Sequence, residues 1–145
     1  MSVFYYTADR LHYINYGLDK MAINVTWANE AHNTILVKYE RLWTWSDFAA
    51  AKVQIDTLLN SVTYTVDIIS DSQQSGGLPA GNALNAMANS FQSAPDNIGL
   101  VVVVGANPFF KSLLQILQTV SMNHAAKNIR FSKSLEHAQS LIKVA

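Results

Sequence analysis

The sequence predicts an α/β fold: a single domain on a mostly parallel central sheet of about five strands, with an N-terminal antiparallel hairpin and about four helices. Three observations predict it. Short runs rich in β-branched residues alternate with longer segments whose apolar residues recur every three to four positions, in the order β-β-α-β-α-β-α-β-α. The run GLVVVVG (99–105) is apolar without alternation, as a strand covered by helices on both faces requires. Only the first pair of predicted strands lacks an intervening helix, so one hairpin opens a sheet whose other strands are joined by right-handed crossovers.

INVTW (23–27) and TILVKYE (34–40) are the hairpin strands, and the polar ANEAHN between them is a loop of six residues. Thr44, with Asp47 three residues on, is a variant capping box that starts a helix with Phe48, Ala51, Ile55, Leu58 and Leu59 as its inner stripe. YTVDIIS (64–70) is the third strand. Pro79 is expected to open the second helix, since its missing N–H falls where a helix has no partner for one, and Leu84, Met87, Ala88 and Phe91 face inward. After GLVVVVG, the pair Asn107 and Pro108 caps a long third helix reaching about Met122. NIRFS (128–132) is the last strand, and Ser134 caps a final helix with Leu135, Ala138, Leu141 and Ile142 inside.

Composition narrows the function classes. In 145 residues, half are apolar and 14% charged, which excludes a disordered chain. Cysteine is absent, so a thiolate nucleophile, a disulfide framework and a cysteine zinc site are all excluded; the chain suits a reducing cytosol. No apolar run approaches the ~20 residues of a membrane span, and MSVFYYTADR lacks the pattern of a signal peptide. Net charge is zero but divided: residues 1–96 carry five Lys or Arg against nine Asp or Glu, and residues 97–145 carry five against Glu136 alone. Lys127, Arg130 and Lys133 make the C-terminal third mildly basic, without the dense basic run of a nucleic-acid binder.

Residues 21–145 resemble a known family. RLWTWSDF at the first helix entry, VDIISDSQQSGGLPAG at the third strand, VVVVGANPFF at the fourth and IRFSKSLEHAQSLI at the end look like the STAS-like, or SpoIIAA-like, group related to bacterial anti-sigma-factor antagonists. The resemblance implies a regulatory or protein-binding domain of a bacterial cytoplasm, not an enzyme, with no cofactor. In the antagonists a serine in a D-S-[ST]-G context is phosphorylated to switch partner binding. Ser75 followed by Gly76 is the nearest match here, with Gln73 where the aspartate would fall and Ser72 as a second candidate. Residues 1–20 lie outside the resemblance and form an N-terminal arm or extension; Phe4, Tyr5, Tyr6, Tyr13 and Tyr16 favour an arm docked on the domain or on a neighbouring subunit.

The stretch SGGLPAGNA (75–83) raises the question of a nucleotide. Gly76 and Gly81 have phosphate-loop spacing, but Asn82 and Ala83 stand where Lys and Ser or Thr belong, and Pro79 removes an N–H. The crevice outside the carboxyl ends of parallel strands remains a ligand site in principle. Asp71, Gly76, Gly77, Gly105, Asn107 and Ser132 should line that rim, where a small anion could meet helix N-termini; the plainer reading has the glycines serving tight turns. No catalytic or metal-binding set emerges. His12, His32, His124 and His137 form no metal-ligand spacing, no G-x-S-x-G occurs, and Asp67 within the third strand has no second acid or base placed beside it.

The third helix is apolar on two stripes. Phe109, Leu113, Ile116, Leu117 and Val120 are expected to face the sheet, which leaves Phe110 and Leu114 on a second stripe; with Trp43 and Trp45 they are the expected interface of a homodimer. Two functions follow: a module working through protein contacts with a regulatory partner, or a carrier or undetected enzyme holding a small or lipid-like molecule at the strand-end crevice. An enclosed apolar cavity between the sheet and the second or third helix would favour the carrier, and a solid core with a flat apolar dimer face would count against it.

Overall fold

A computed structural model describes residues 2–6, 11–15, 21–121 and 124–144. Two short strands, β1 (Ser2–Tyr6) and β2 (Leu11–Asn15), pair with each other, Ser2 opposite Asn15 through Tyr6 opposite Leu11. The N-terminal arm is thus a β-hairpin of its own, favoured by the aromatic and β-branched residues of SVFYY and LHYIN. The docking expected of its aromatic side chains lies outside the described residues.

The domain that follows is α/β. Its strands are β3 (Ile23–Trp27), β4 (Thr34–Tyr39), β5 (Val66–Asp71), β6 (Ile98–Val104) and β7 (Ile129–Ser132), in that spatial order in one sheet. β3 runs antiparallel to β4, and every later pair is parallel. The crossovers carry α1 (Trp45–Asn60), α2 (Ala83–Gln92), and α3 (Pro108–Val120) with the short α4 (His124–Lys127); α5 (Leu135–Val144) closes the chain. α4 is an element beyond the four expected helices. The end expected for α3 at Met122 lies outside the described residues.

Alternation along β6 sets the layers. Val101 and Val103 point to the face covered by α1, α2, α3 and α4, while Leu100, Val102 and Val104 point to the face covered by α5. Consecutive strands lie side by side, so crossovers of one hand put their helices on one face. The main core gathers there: Ile35, Val37, Ile68 and Val101 beneath Ala51, Leu59, Met87, Leu114 and Leu117. The second face is thinner, with Ala138, Leu135, Leu141 and Ile142 of α5 on Ile69 and the even β6 positions.

The caps at α1, α3 and α5 form as their sequences direct. Thr44 Oγ1 accepts from Asp47 N (3.1 Å) and Asp47 Oδ2 accepts from Thr44 N (2.8 Å), completing the capping box. Asn107 Oδ1 accepts from Phe110 N, with Pro108 in the first turn. Ser134 Oγ accepts from His137 N.

Two local expectations are corrected. α2 starts at Ala83, with Asn82 as its cap, and not at Pro79. Gly81 sits at φ +121°, outside helical space, so no helix can run through it from Pro79. On α3 the expected inward stripe is split: Leu117 is buried and Leu113 half-buried as expected, joined by Leu114, buried, and Phe110, half-buried, from the other stripe, while Phe109, Ile116 and Val120 are 64%, 46% and 68% exposed. Leu84 of α2 also lies at the surface.

Candidate functional site

The rim at the carboxyl ends of β4, β5 and β6 is built from the loop after β5. Ser72 is buried; its N–H and its hydroxyl both donate to the Val104 carbonyl, at 2.9 and 2.7 Å, which extends the sheet by one residue. Asp71 is buried beneath the loop, its carboxylate accepting from Gln73 N and Gln73 Nε2 at 3.1 and 3.0 Å. Ser75 N donates to the Ser72 carbonyl, and Gly76 N donates to the carbonyl of Arg41. Ser75 Oγ is held from two sides: it accepts from Trp43 Nε1 at 2.9 Å and donates to the Gly77 carbonyl at 3.2 Å.

These contacts leave a small rim cavity of about 60 Å³, lined by Trp43, Ser72, Ser75, Gly77, Gly105 and Asn107 among others. Of the residues expected at the crevice, Gly77, Gly105 and Asn107 line it. Asp71 and Gly76 support the loop from below and from the Arg41 side, and Ser132 joins through its carbonyl, which accepts from Gly105 N at 3.0 Å. No charged side chain is among the lining residues, so nothing there would balance a polyphosphate.

An aromatic cluster walls the same end of the molecule. Trp43 packs against Tyr39, Trp45 and Phe48 with ring centroids 5.1, 5.1 and 6.1 Å apart. Trp43 and Leu114 are therefore core residues of the single chain, while Trp45 and Phe110 are half-buried and pack against that core. The apolar surface of α3 available to a partner is Phe109, Ile116 and Val120, residues the helix period had placed inward.

A second cavity, of about 100 Å³, lies between the sheet and the helices α1, α2 and α3. Its floor is Val37, Tyr39, Ile68, Ser70, Val101 and Val103; Ala51 and Ile55, Met87 and Phe91, and Leu114 come from the three helices. Tyr39 and Phe110 line both cavities and stand between them. Burial pushes the Tyr39 hydroxyl up to about 12, a hydrogen bond with Ser70 partly opposing the shift, so it is a neutral phenol. Lys52 and Asp56, paired one turn apart on α1, supply the cavity's charged groups. Asp56 Oδ2 holds the Lys52 ammonium, whereas Asp56 Oδ1 is buried without a hydrogen-bond partner. No spacing rule could have found this site, because it is the space left between three helices.

Two other polar clusters are structural. Asp67 Oδ1 accepts from Leu100 N at 2.8 Å, beside Gly99, where a β-bulge leaves Asp67 without a β6 partner. A Cβ at position 99 would stand 2.4 Å from that oxygen, so any other residue there would have to displace the Asp67 side chain. Ser132 Oγ lies 2.9 Å from His137 Nδ1, a serine–histidine pair that the sequence motifs did not signal. The Ser132 hydroxyl also lies 2.7 Å from the Ser134 carbonyl, to which it can donate, and Ser134 N donates to it at 3.3 Å, so the pair ties the end of β7 to the start of α5. Among the other histidines, His32 stacks on Trp27 and His124 is exposed in α4; the side chain of His12 lies outside the described residues. Among the described residues no group of three acidic or histidine side chains is placed to hold a metal ion. No helix among them is long and apolar enough to cross a membrane.

On the second face, a groove of about 1050 Å³ runs beside α5, bordered by Thr34, Asp67, Arg130, Gln139 and Lys143. Comparison with known proteins finds no matching family model and no matching curated protein.

Proposed function

We propose that this chain is a non-enzymatic regulatory or protein-binding module that acts through protein contacts in a bacterial cytoplasm, as a homodimer or with a regulatory partner. The observation that carries the reading is the exposed apolar stripe of α3. Phe109, Ile116 and Val120 are spaced by two turns and one turn, share one face, and begin at the rim that carries Ser75. The STAS-like character of the loop sequences supports the same reading, and the cysteine-free composition suits the compartment.

Ser75 is the better of the two phosphoacceptors. Its half-buried hydroxyl lies at the rim cavity, whereas the Ser72 hydroxyl is buried in a bond to Val104. A phosphate on Ser75 would exchange the Trp43 and Gly77 contacts for charge with no lysine or arginine among the cavity's lining residues, and so would loosen the loop beside the stripe. Native mass spectrometry of protein from its own host reads subunit number and added phosphate together. A dimer that Ile116→Glu converts to monomer supports the reading; an unmodified monomer that captures no partner and is indifferent to Ile116→Glu removes it.

The cavity beneath α1, α2 and α3 favours a second reading, a carrier of a small molecule. Its place is under the helices and not at the strand-end crevice. Mass spectrometry distinguishes the two, since a carrier arrives with a ligand mass.

A further inference from the structure

We propose that the cavity between the sheet and α1, α2 and α3 takes a small neutral alcohol or phenol, its hydrocarbon body among Ile55, Ile68, Met87 and Phe91 and its hydroxyl donating to Asp56 Oδ1. The proposal rests on the carrier reading and names the chemistry of its ligand.

Size and lining set the body of the molecule. A cavity of about 100 Å³ is somewhat smaller than the ~150 Å³ apolar cavities that take up benzene. One small ring or a short branched chain fills it, and because the cavity is not fully enclosed a polar end can reach its mouth. The walls come from Ile, Val, Met and Phe side chains of three helices and three strands, so shape and not a polar pattern selects the body.

Charge sets the head. Asp56 Oδ1 is buried and has no donor, while Oδ2 is taken by Lys52. Lys52 also reaches the Ser93 carbonyl at 3.5 Å, which fixes the ammonium between α1 and the end of α2. A cationic donor approaching Asp56 would meet that ammonium, and a carboxylate or phosphate would meet the aspartate. A neutral hydroxyl meets neither penalty: it donates to Oδ1 and can accept from the ammonium. The only other polar side chains lining the cavity are Tyr39 and Ser70, which bond each other, and Ser90.

The test is a methyl-detected NMR titration of the full chain with phenol and, separately, toluene, in wild type and Asp56→Ala. Saturable shifts centred on the Met87 and Ile68 methyl groups are expected for both probes. Asp56→Ala should weaken phenol about tenfold, the loss of one hydrogen bond to a charged acceptor, and move toluene by less than about twofold. Shifts that do not saturate, or that centre elsewhere, overturn the carrier reading together with the proposal. Saturable shifts at Met87 with phenol unaffected by Asp56→Ala leave the carrier reading standing and overturn the hydroxyl assignment. Ala51→Leu, which fills the cavity from α1, should abolish both titrations. If that variant does not fold, intermolecular nuclear Overhauser contacts between probe and Met87 in wild type decide the location.

Discussion

The indole N–H of Trp43 donates to the hydroxyl of Ser75 across 2.9 Å, joining the residue before the α1 cap to the loop that leaves β5, 32 positions later in the chain. Through this contact the aromatic cluster at the start of α1 and the rim of the sheet share one packing arrangement. Ser75 then orders Gly77, and Gly76 is tied back to Arg41 by its N–H.

Trp43→Phe keeps most of the ring packing and removes the donor. It should cost about 1 kcal/mol, and Ser75→Ala should cost more, because it leaves the indole N–H buried without an acceptor. In a double-mutant cycle by urea unfolding, the pair should show a coupling of roughly 0.5–1.5 kcal/mol. Additive single effects would mean that the contact contributes nothing to stability.

Thr44→Ala removes the side-chain half of the α1 capping box, leaving Asp47 N without its acceptor. Loss of such a cap costs about 1 kcal/mol, so the thermal midpoint should fall by a few degrees while Thr44→Ser stays near wild type. Circular dichroism melts of the two variants make the comparison.

Gly99→Ala places a methyl group 2.4 Å from Asp67 Oδ1 and 2.8 Å from Thr65 Cγ2. Both neighbours are anchored in or beside β5, so relief requires moving the bulge, and overpacking of this kind costs about 1–3 kcal/mol. The companion change Asp67→Ala gives up the bond to Leu100 N but clears the closer of the two clashes, leaving only Thr65 Cγ2 to give way. The double variant should therefore be markedly less destabilised than the sum of the singles, as read from denaturant midpoints.

Tyr39 links stability to alkaline pH. Its folded pKa is raised to about 12 by burial, against 10 for an unfolded tyrosine, so the native state favours the neutral phenol. The resulting stabilisation is complete below pH 10 and is lost as pH rises from 10 toward 12; two pH units correspond to ~3 kcal/mol. Tyr39→Phe should flatten that part of the stability curve. Near-ultraviolet titration should show one tyrosine ionising only as the chain unfolds, and a curve identical in Tyr39→Phe would contradict it.

Much of the fold is legible because its signals are local. Thr44 with Asp47, Asn107 with Pro108, and Ser134 each satisfy N–H groups within three residues, so their pairing is written in adjacent positions. The unalternating β6 run likewise requires cover on both faces wherever it sits. The site was less legible. The rim residues Gly77, Gly105 and Asn107 follow from the rule that loops after parallel strands meet at one end, whereas the Asp56 and Lys52 cavity has no signature in spacing.

By itself, then, the sequence determined the order of the elements from β3 onward apart from the short α4, the caps of α1, α3 and α5, the two-faced central strand and the absence of a phosphate loop with its lysine, all of which depend on residue type over a few positions. Tertiary structure alone decided which stripe of α3 faces the core. Apolar residues run round most of the helix, and its period cannot fix where the buried face is centred until the sheet supplies a surface that Leu114 and Leu117 fit and Phe109, Ile116 and Val120 do not. It also decided where Asp67 and Ser75 find their partners, 33 and 32 residues away, and that a cavity remains beneath three helices whose side chains do not quite meet.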